Sequence, residues 1–137
     1  MRFVVRLMTQ AAIEPWTEDA VAGIFDEVDE ITRVLLSAVA KATLSGTPLT
    51  EPDVVKAVQL DWRETMGIVR ELNEAANEDS HEPLVLRQTI SETLPNGRTR
   101  DVRVLTMEGE VASFVNAADR AQLLADGHLS GPNSDGG

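Results

Sequence analysis

Between Thr17 and Gly46, apolar residues recur at Val21, Ile24, Val28, Ile31, Leu35, Ala38 and Ala42, a 3-4-3-4-3-4 spacing. That spacing is a heptad seam and predicts a helix. Phe25, Leu36 and Val39 widen it on either side. Thr17 is suited to the N-cap, Glu18 and Asp19 sit well against the helix dipole, and Gly46 supplies a stop. About 28 residues at ~1.5 Å each make a rod of roughly 40 Å. A domain this small has a radius of gyration near ~14 Å, so such a rod overhangs its own domain. Two readings stand. One is a long core helix with an exposed flank. The other, which the seam favours, is a dimerisation helix using Val21, Ile24, Val28, Ile31 and Leu35.

Two shorter helices follow in residues 49–76. Thr50 with Asp53 makes a capping-box-like start, and Pro52 is tolerated in a first turn. Asp61 with Glu64 makes a second such start 11 residues on. Val54, Val55 and Val58 form the buried face of the first. Thr65, Val69, Leu72 and Ala76 line the second, with Trp62 and Met66 at its edge. Two starts this close mean a short helix, a tight turn and another helix, which is the helix-turn-helix arrangement.

The period then changes to two. Asn77 to Pro83 is a polar loop. Leu84, Leu86, Gln88 and Ile90 alternate with Val85, Arg87 and Thr89, and Arg98 to Met107 alternates again. Pro95-Asn96-Gly97 between them is a turn signal, so the pair reads as a β-hairpin with a basic tip. Two segments remain open. Residues 2–8 suit a short strand, with a short amphipathic helix as competitor. Glu108-Gly109-Glu110 starts a helix through Val111, Phe114, Val115 and Ala118, or else turns a third strand, Val111 to Val115, before a helix that runs to Ala125. The expected organisation is one domain over residues 1–127, with residues 128–137 a disordered tail.

Composition narrows the chemistry. The 137 residues are 42% hydrophobic and 26% charged, enough for a folded core. Cysteine is absent, which excludes disulfides, thiolate catalysis and cysteine-based metal sites. No run approaches ~20 apolar residues, so no membrane helix is expected. Residues 3–8, broken by Arg6, read as structure and not as a signal peptide. A cytoplasmic location is the expectation. The formal net charge of −11 argues against a protein that coats nucleic acid indiscriminately. Its distribution matters more. Residues 71–82 hold five acids and no base, whereas residues 83–107 hold four arginines against Glu92 and Asp101. Positive charge is thus concentrated at the N-terminus and on the hairpin.

The order helix, helix-turn-helix, hairpin, helix resembles a winged-helix domain. Leu49 to Ala75 resembles the core motif of that family, with Leu49-Thr50, Val54, Val58, Leu60, Val69 and Leu72 where the motif buries residues. Gly97 to Glu110 is similar to the wing of MarR-type transcriptional regulators and the Leu-Thr-x-x-Gly that follows it. Gln59 stands where the family has a turn glycine, and Thr65 where it has a larger apolar residue. The resemblance implies a fold that is mainly α with a β-hairpin wing. It also implies a homodimer that binds double-stranded DNA.

On that reading the second helix of the motif enters the major groove and offers Trp62, Arg63, Met66, Gly67 and Arg70. Arg63 suits a guanine edge or a phosphate, and Gly67 allows close backbone approach. Arg98, Arg100 and Arg103 on the hairpin would hold the phosphate backbone. Enzymatic signals are poor. His81 and His128 are the only histidines, and His81 with Asp79 and Glu82 lacks the ligand count of a metal site. No phosphate-binding glycine loop or nucleophile motif occurs. The expectation is a non-enzymatic protein with no cofactor and no metal. Two competitors remain. One is a winged helix used as a protein-interaction or assembly module. The other is an α+β assembly protein whose single sheet joins residues 2–8, 84–90, 98–107 and 111–115.

Overall fold

A computed structural model describes residues 14–125. The expected strand or helix at residues 2–8 and the tail at 128–137 lie outside the described residues. Among the described residues the chain forms five helices and a three-stranded antiparallel sheet. In order these are α1 (Glu18–Glu27), α2 (Glu30–Leu44), β1 (Leu49–Thr50), α3 (Glu51–Val58), α4 (Trp62–Glu78), β2 (Leu86–Thr93), β3 (Thr99–Thr106) and α5 (Gly109–Ala125).

The long N-terminal rod is a correction: it is two helices. Val28 and Asp29 are extended, with ψ of 164° and 174°, and they break the helix between Glu27 and Glu30. Capping defeats the heptad here. Asp29 Oδ1 accepts from Thr32 N at 2.9 Å and starts α2. Arg33 reaches back to the end of α1, where Nε donates to Phe25 O at 2.7 Å and NH2 to Asp26 O at 2.8 Å. Its guanidinium also stands 5.8 Å from the centre of the Phe25 ring. One tight corner thus serves both helix ends, with Asp29 capping an N–H of α2 and Arg33 capping two carbonyls of α1.

The break also dissolves the seam. Val21 and Leu35 lie in the core of this single chain, and Ile24 and Val28 pack against that core. Of the five seam residues only Ile31, at 42% exposure, faces solvent. As a continuous dimerisation surface the set fails, because Val21 and Leu35 are buried in the chain's own core and Ile24 and Val28 pack against it.

α2 is the central element. Leu35, Leu36, Val39 and Ala40 are almost wholly buried, and α2 packs against α3, α5, β1 and β3. Burying one such leucine contributes about 1.5–3 kcal/mol. Val21 and Phe25 of α1, Val54 and Val58 of α3, and Val111, Ala112 and Val115 of α5 complete the cluster. α5 is helical from Gly109, with Ala112 N donating to Glu108 O at 2.8 Å, so residues 111–115 are not a strand.

The sheet order is β1-β3-β2. β1 is only Leu49 and Thr50, opposite Leu105 and Val104. It was not expected, and with residues 111–115 helical the four-strand sheet is not formed. The β2–β3 hairpin is as expected, from Leu86 opposite Thr106 to Thr93 opposite Thr99. At its tip Gly97 N donates to Leu94 O at 2.9 Å, which places Pro95 and Asn96 at the turn centre. Gly97 alone takes the left-handed conformation there, with φ of 86°.

Candidate nucleic-acid interface

The segment from β1 to the hairpin positions the candidate site. Thr50 caps α3 without a side-chain bond to its backbone; its hydroxyl donates to Asp53 Oδ2 at 3.1 Å. α3 ends at Gln59, whose φ of 60° and ψ of 34° are left-handed. The glycine expected at that turn is thus explained by backbone geometry, and Gln59 occupies it under strain. Asp61 then opens α4 with a full capping box. Glu64 N donates to Asp61 Oδ1 at 2.7 Å, and Asp61 N donates to Glu64 Oε1 at 3.4 Å. Thr65 is fully buried yet satisfied, because its hydroxyl donates to Asp61 O at 2.9 Å.

The two helices are separate and packed on each other, and Arg63 is exposed. Arg63, Gly67, Arg70 and Glu74 follow one another at helical spacing and share one face of α4. Along that face Arg63 and Arg70 are positive, and Glu74, one turn beyond Arg70, is negative. Two of the acids on α4 are turned elsewhere. Glu64 serves the capping box, and Glu71 lines a cleft toward α1 with Ile24 and Glu27.

A solvent-open groove of about 790 Å³ separates α4 from the start of β2. Met66, Arg70, Asn73 and Glu74 form one wall, and Val85, Leu86 and Arg87 the other. Asn73 fixes the spacing of the walls. Its Oδ1 accepts from Leu84 N at 2.8 Å and Val85 N at 3.1 Å, while its Nδ2 donates to Val85 O at 2.9 Å. The half-buried Asn73 thus saturates three backbone groups where the chain leaves its loop and enters the strand.

The expected site residues divide into two sets. Among the described residues, Arg63, Arg70 and Arg98 make no side-chain hydrogen bond or ion pair. All three are exposed. Arg100 and Arg103 differ. Arg100 Nε lies 2.7 Å from Glu92 Oε1, its direct partner across the hairpin. Arg103 makes a two-pronged pair with Glu51, with Nε–Oε1 at 2.8 Å and NH2–Oε2 at 3.2 Å. Its guanidinium also stands 5.3 Å from the centre of the Trp62 ring. Trp62 is half-buried against the core. Arg103, Glu51 and Trp62 therefore bolt β3 to the first turns of α3 and α4. Met66 and Gly67 are half-buried, and a Cβ built on Gly67 meets nothing within 4 Å.

One residue was not in the expected set. Arg87 is exposed, lines the groove opposite Arg70, and has no side-chain partner among the described residues. Its outward position in the alternation of β2 was the available signal. His81 is used structurally: its ring stacks on Trp16 at 4.0 Å between centroids, and its Nδ1 is 2.9 Å from Glu14 O. Among the described residues no group of three or more His, Asp and Glu could hold a metal ion, and no helix is long and apolar enough to cross a membrane. No family model, curated protein or solved structure matches this chain.

Proposed function

We propose that the protein is a winged-helix transcriptional regulator that binds double-stranded DNA, with α4 in the major groove and the hairpin as a wing on the phosphate backbone. The observation that carries this reading is the placement of Arg63, Arg70, Arg87 and Arg98. They occupy the exposed face of α4, the facing edge of β2 and the hairpin tip, without side-chain partners among the described residues. Arg33, Arg100 and Arg103, by contrast, are bonded within the fold. Unpaired arginines on a helix and an adjacent ribbon suit phosphates and guanine edges. The order β1, α3, α4, β2, β3, with β3 central in the sheet, supports the winged-helix assignment.

The test is a gel-shift titration with fragmented genomic duplex. The wild-type chain retards a subset of fragments. Arg63→Ala with Arg98→Ala weakens the shift severalfold at unchanged helix content. Full retention of binding by that double variant refutes the assignment. A second reading, a winged helix that docks a protein partner, draws on the exposed Glu71, Glu74 and Glu78 in the last turns of α4. It predicts no duplex retardation at low salt, together with a partner whose capture is lost on Glu74→Lys.

A further inference from the structure

Five large apolar residues are more than a third exposed among the described residues: Ile31, Val34, Leu44, Ile90 and Leu124. All but Ile90 belong to α2 or α5. Ile31 and Val34 are 42% and 39% exposed although they sit on the helix that supplies the centre of the core. With Ala38 they form a stripe at 3-4 spacing, so they share one face of α2. An open groove of about 690 Å³ runs beside this stripe, with Val34, Ser37, Ala38 and Lys41 on one wall and Asp119 and Leu123 of α5 on the other. Isolated apolar side chains on a surface are ordinary, but a stripe along one helix, beside a groove whose walls Ser37 and Asp119 join by a hydrogen bond of 3.2 Å, is the pattern that marks interaction sites.

The charges at its two ends say what fits it. Glu30 lies at the N-terminal end of the stripe and Lys41 at its C-terminal end, both exposed. Neither has a side-chain partner among the described residues. A two-fold axis through the middle of α2 turns the helix end for end. It sets Val34 of one copy near Ala38 of the other, and Glu30 of each against Lys41 of the other. The face is thus self-complementary in sign, as an isologous interface requires. We infer that α2 pairs antiparallel with α2 of a second copy of this chain, with Ile31, Val34 and Ala38 as the apolar centre and two reciprocal Glu30–Lys41 pairs as the rim. α2 alone, 15 residues and so about 22 Å long, is a small contact, and the exposed end of α5 at Leu123 and Leu124 extends it. The inference does not depend on DNA binding, since its readout is the oligomeric state. If both hold, two hairpins and two α4 helices are carried on one particle.

The experiment is sedimentation velocity on the full chain across a hundredfold concentration range. The wild type is expected to dimerise. Glu30→Lys alone and Lys41→Glu alone each place like charges opposite one another twice, and each is expected to weaken the dimer roughly tenfold. The double exchange restores opposite signs and should recover the wild-type constant to within about threefold. It also keeps the unfavourable helix-dipole placement of both single changes, so recovery cannot come from helix stability. Val34→Asp, with unchanged circular dichroism, should give a monomer. A wild-type chain that stays monomeric throughout overturns the inference, and so does a double exchange as weak as its single changes.

Discussion

The corner between α1 and α2 makes a prediction whose sign, not only its size, discriminates. Asp29 caps α2 through Thr32 N at 2.9 Å. Replacing it by alanine removes that acceptor, and with it the carboxylate's contact with the Thr32 hydroxyl and its attraction to Arg33. An N-cap of this kind contributes about 1 kcal/mol, within a span of roughly 0.5–2. For a domain of this size that is a drop of about 4 °C in Tm. Were residues 17–46 one rod, the same change would put the best helix former in place of a poor one at mid-helix. It would then stabilise by up to about 0.7 kcal/mol. Urea unfolding followed by the fluorescence of the buried Trp16 reads the difference directly. The pH dependence adds a second check. The Thr32 hydroxyl, then the Thr32 backbone N–H, and more weakly Arg33 hold the Asp29 carboxyl below its ordinary pKa, against a small opposing desolvation. A carboxylate depressed in the folded state contributes stability above its unfolded pKa of about 3.9, and that contribution is lost as pH falls through the lower folded value. The gap between wild type and Asp29→Ala should therefore be full at pH 7 and close progressively in acid below pH ~4. A gain in stability or in helix content for Asp29→Ala would refute the two-helix corner.

Gly67→Ala should stabilise the fold by up to about 1 kcal/mol, because the added methyl meets open space and glycine is a poor helix former. It should at the same time weaken duplex binding; chemical denaturation and gel shift measure the two sides. Gln59→Gly removes a left-handed non-glycine residue at the turn between α3 and α4. The relief of about 1–2 kcal/mol, less about 0.4–1 for the freer unfolded chain, leaves a net gain of about 0–1.6 kcal/mol, read by urea unfolding. Leu35→Ala, at a wholly buried position, should cost about 2–5 kcal/mol. That loss should persist in full at concentrations where the chain is monomeric, which is the signature of a core residue and not of a dimer seam.

How much was legible depended on whether the deciding signal was local. The two helices of 49–78 and their turn were readable because Asp61 with Glu64 is a capping pair three residues apart, and capping is set within one turn. The hairpin was readable because Pro95-Asn96-Gly97 sits between two period-two runs. The break at Val28–Asp29 was equally local, with Asp29 three residues before Thr32, but the heptad count is blind to polar caps and read across it. β1 was missed because two residues have no period; it exists only through Leu105 and Val104, which lie more than 50 positions away. The fate of the arginines was mixed. The Glu92–Arg100 pair follows from the register once the turn is placed. Arg103 is taken out of the free set by Glu51, 52 positions away, and by Trp62, which no spacing rule announces.

The central claim, that unpaired arginines on α4 and the hairpin meet phosphate, is tested most directly by the salt dependence of duplex binding. Each phosphate contact contributes about 0.9 to the slope of log K against log salt. The account predicts a steep negative slope for the wild-type chain on random duplex, reduced by about 2 in Arg63→Ala with Arg98→Ala. Arg120→Ala, on α5 and away from the hairpin, should leave the slope where it was. A slope that the double variant does not change, or no binding at the lowest salt, would contradict it.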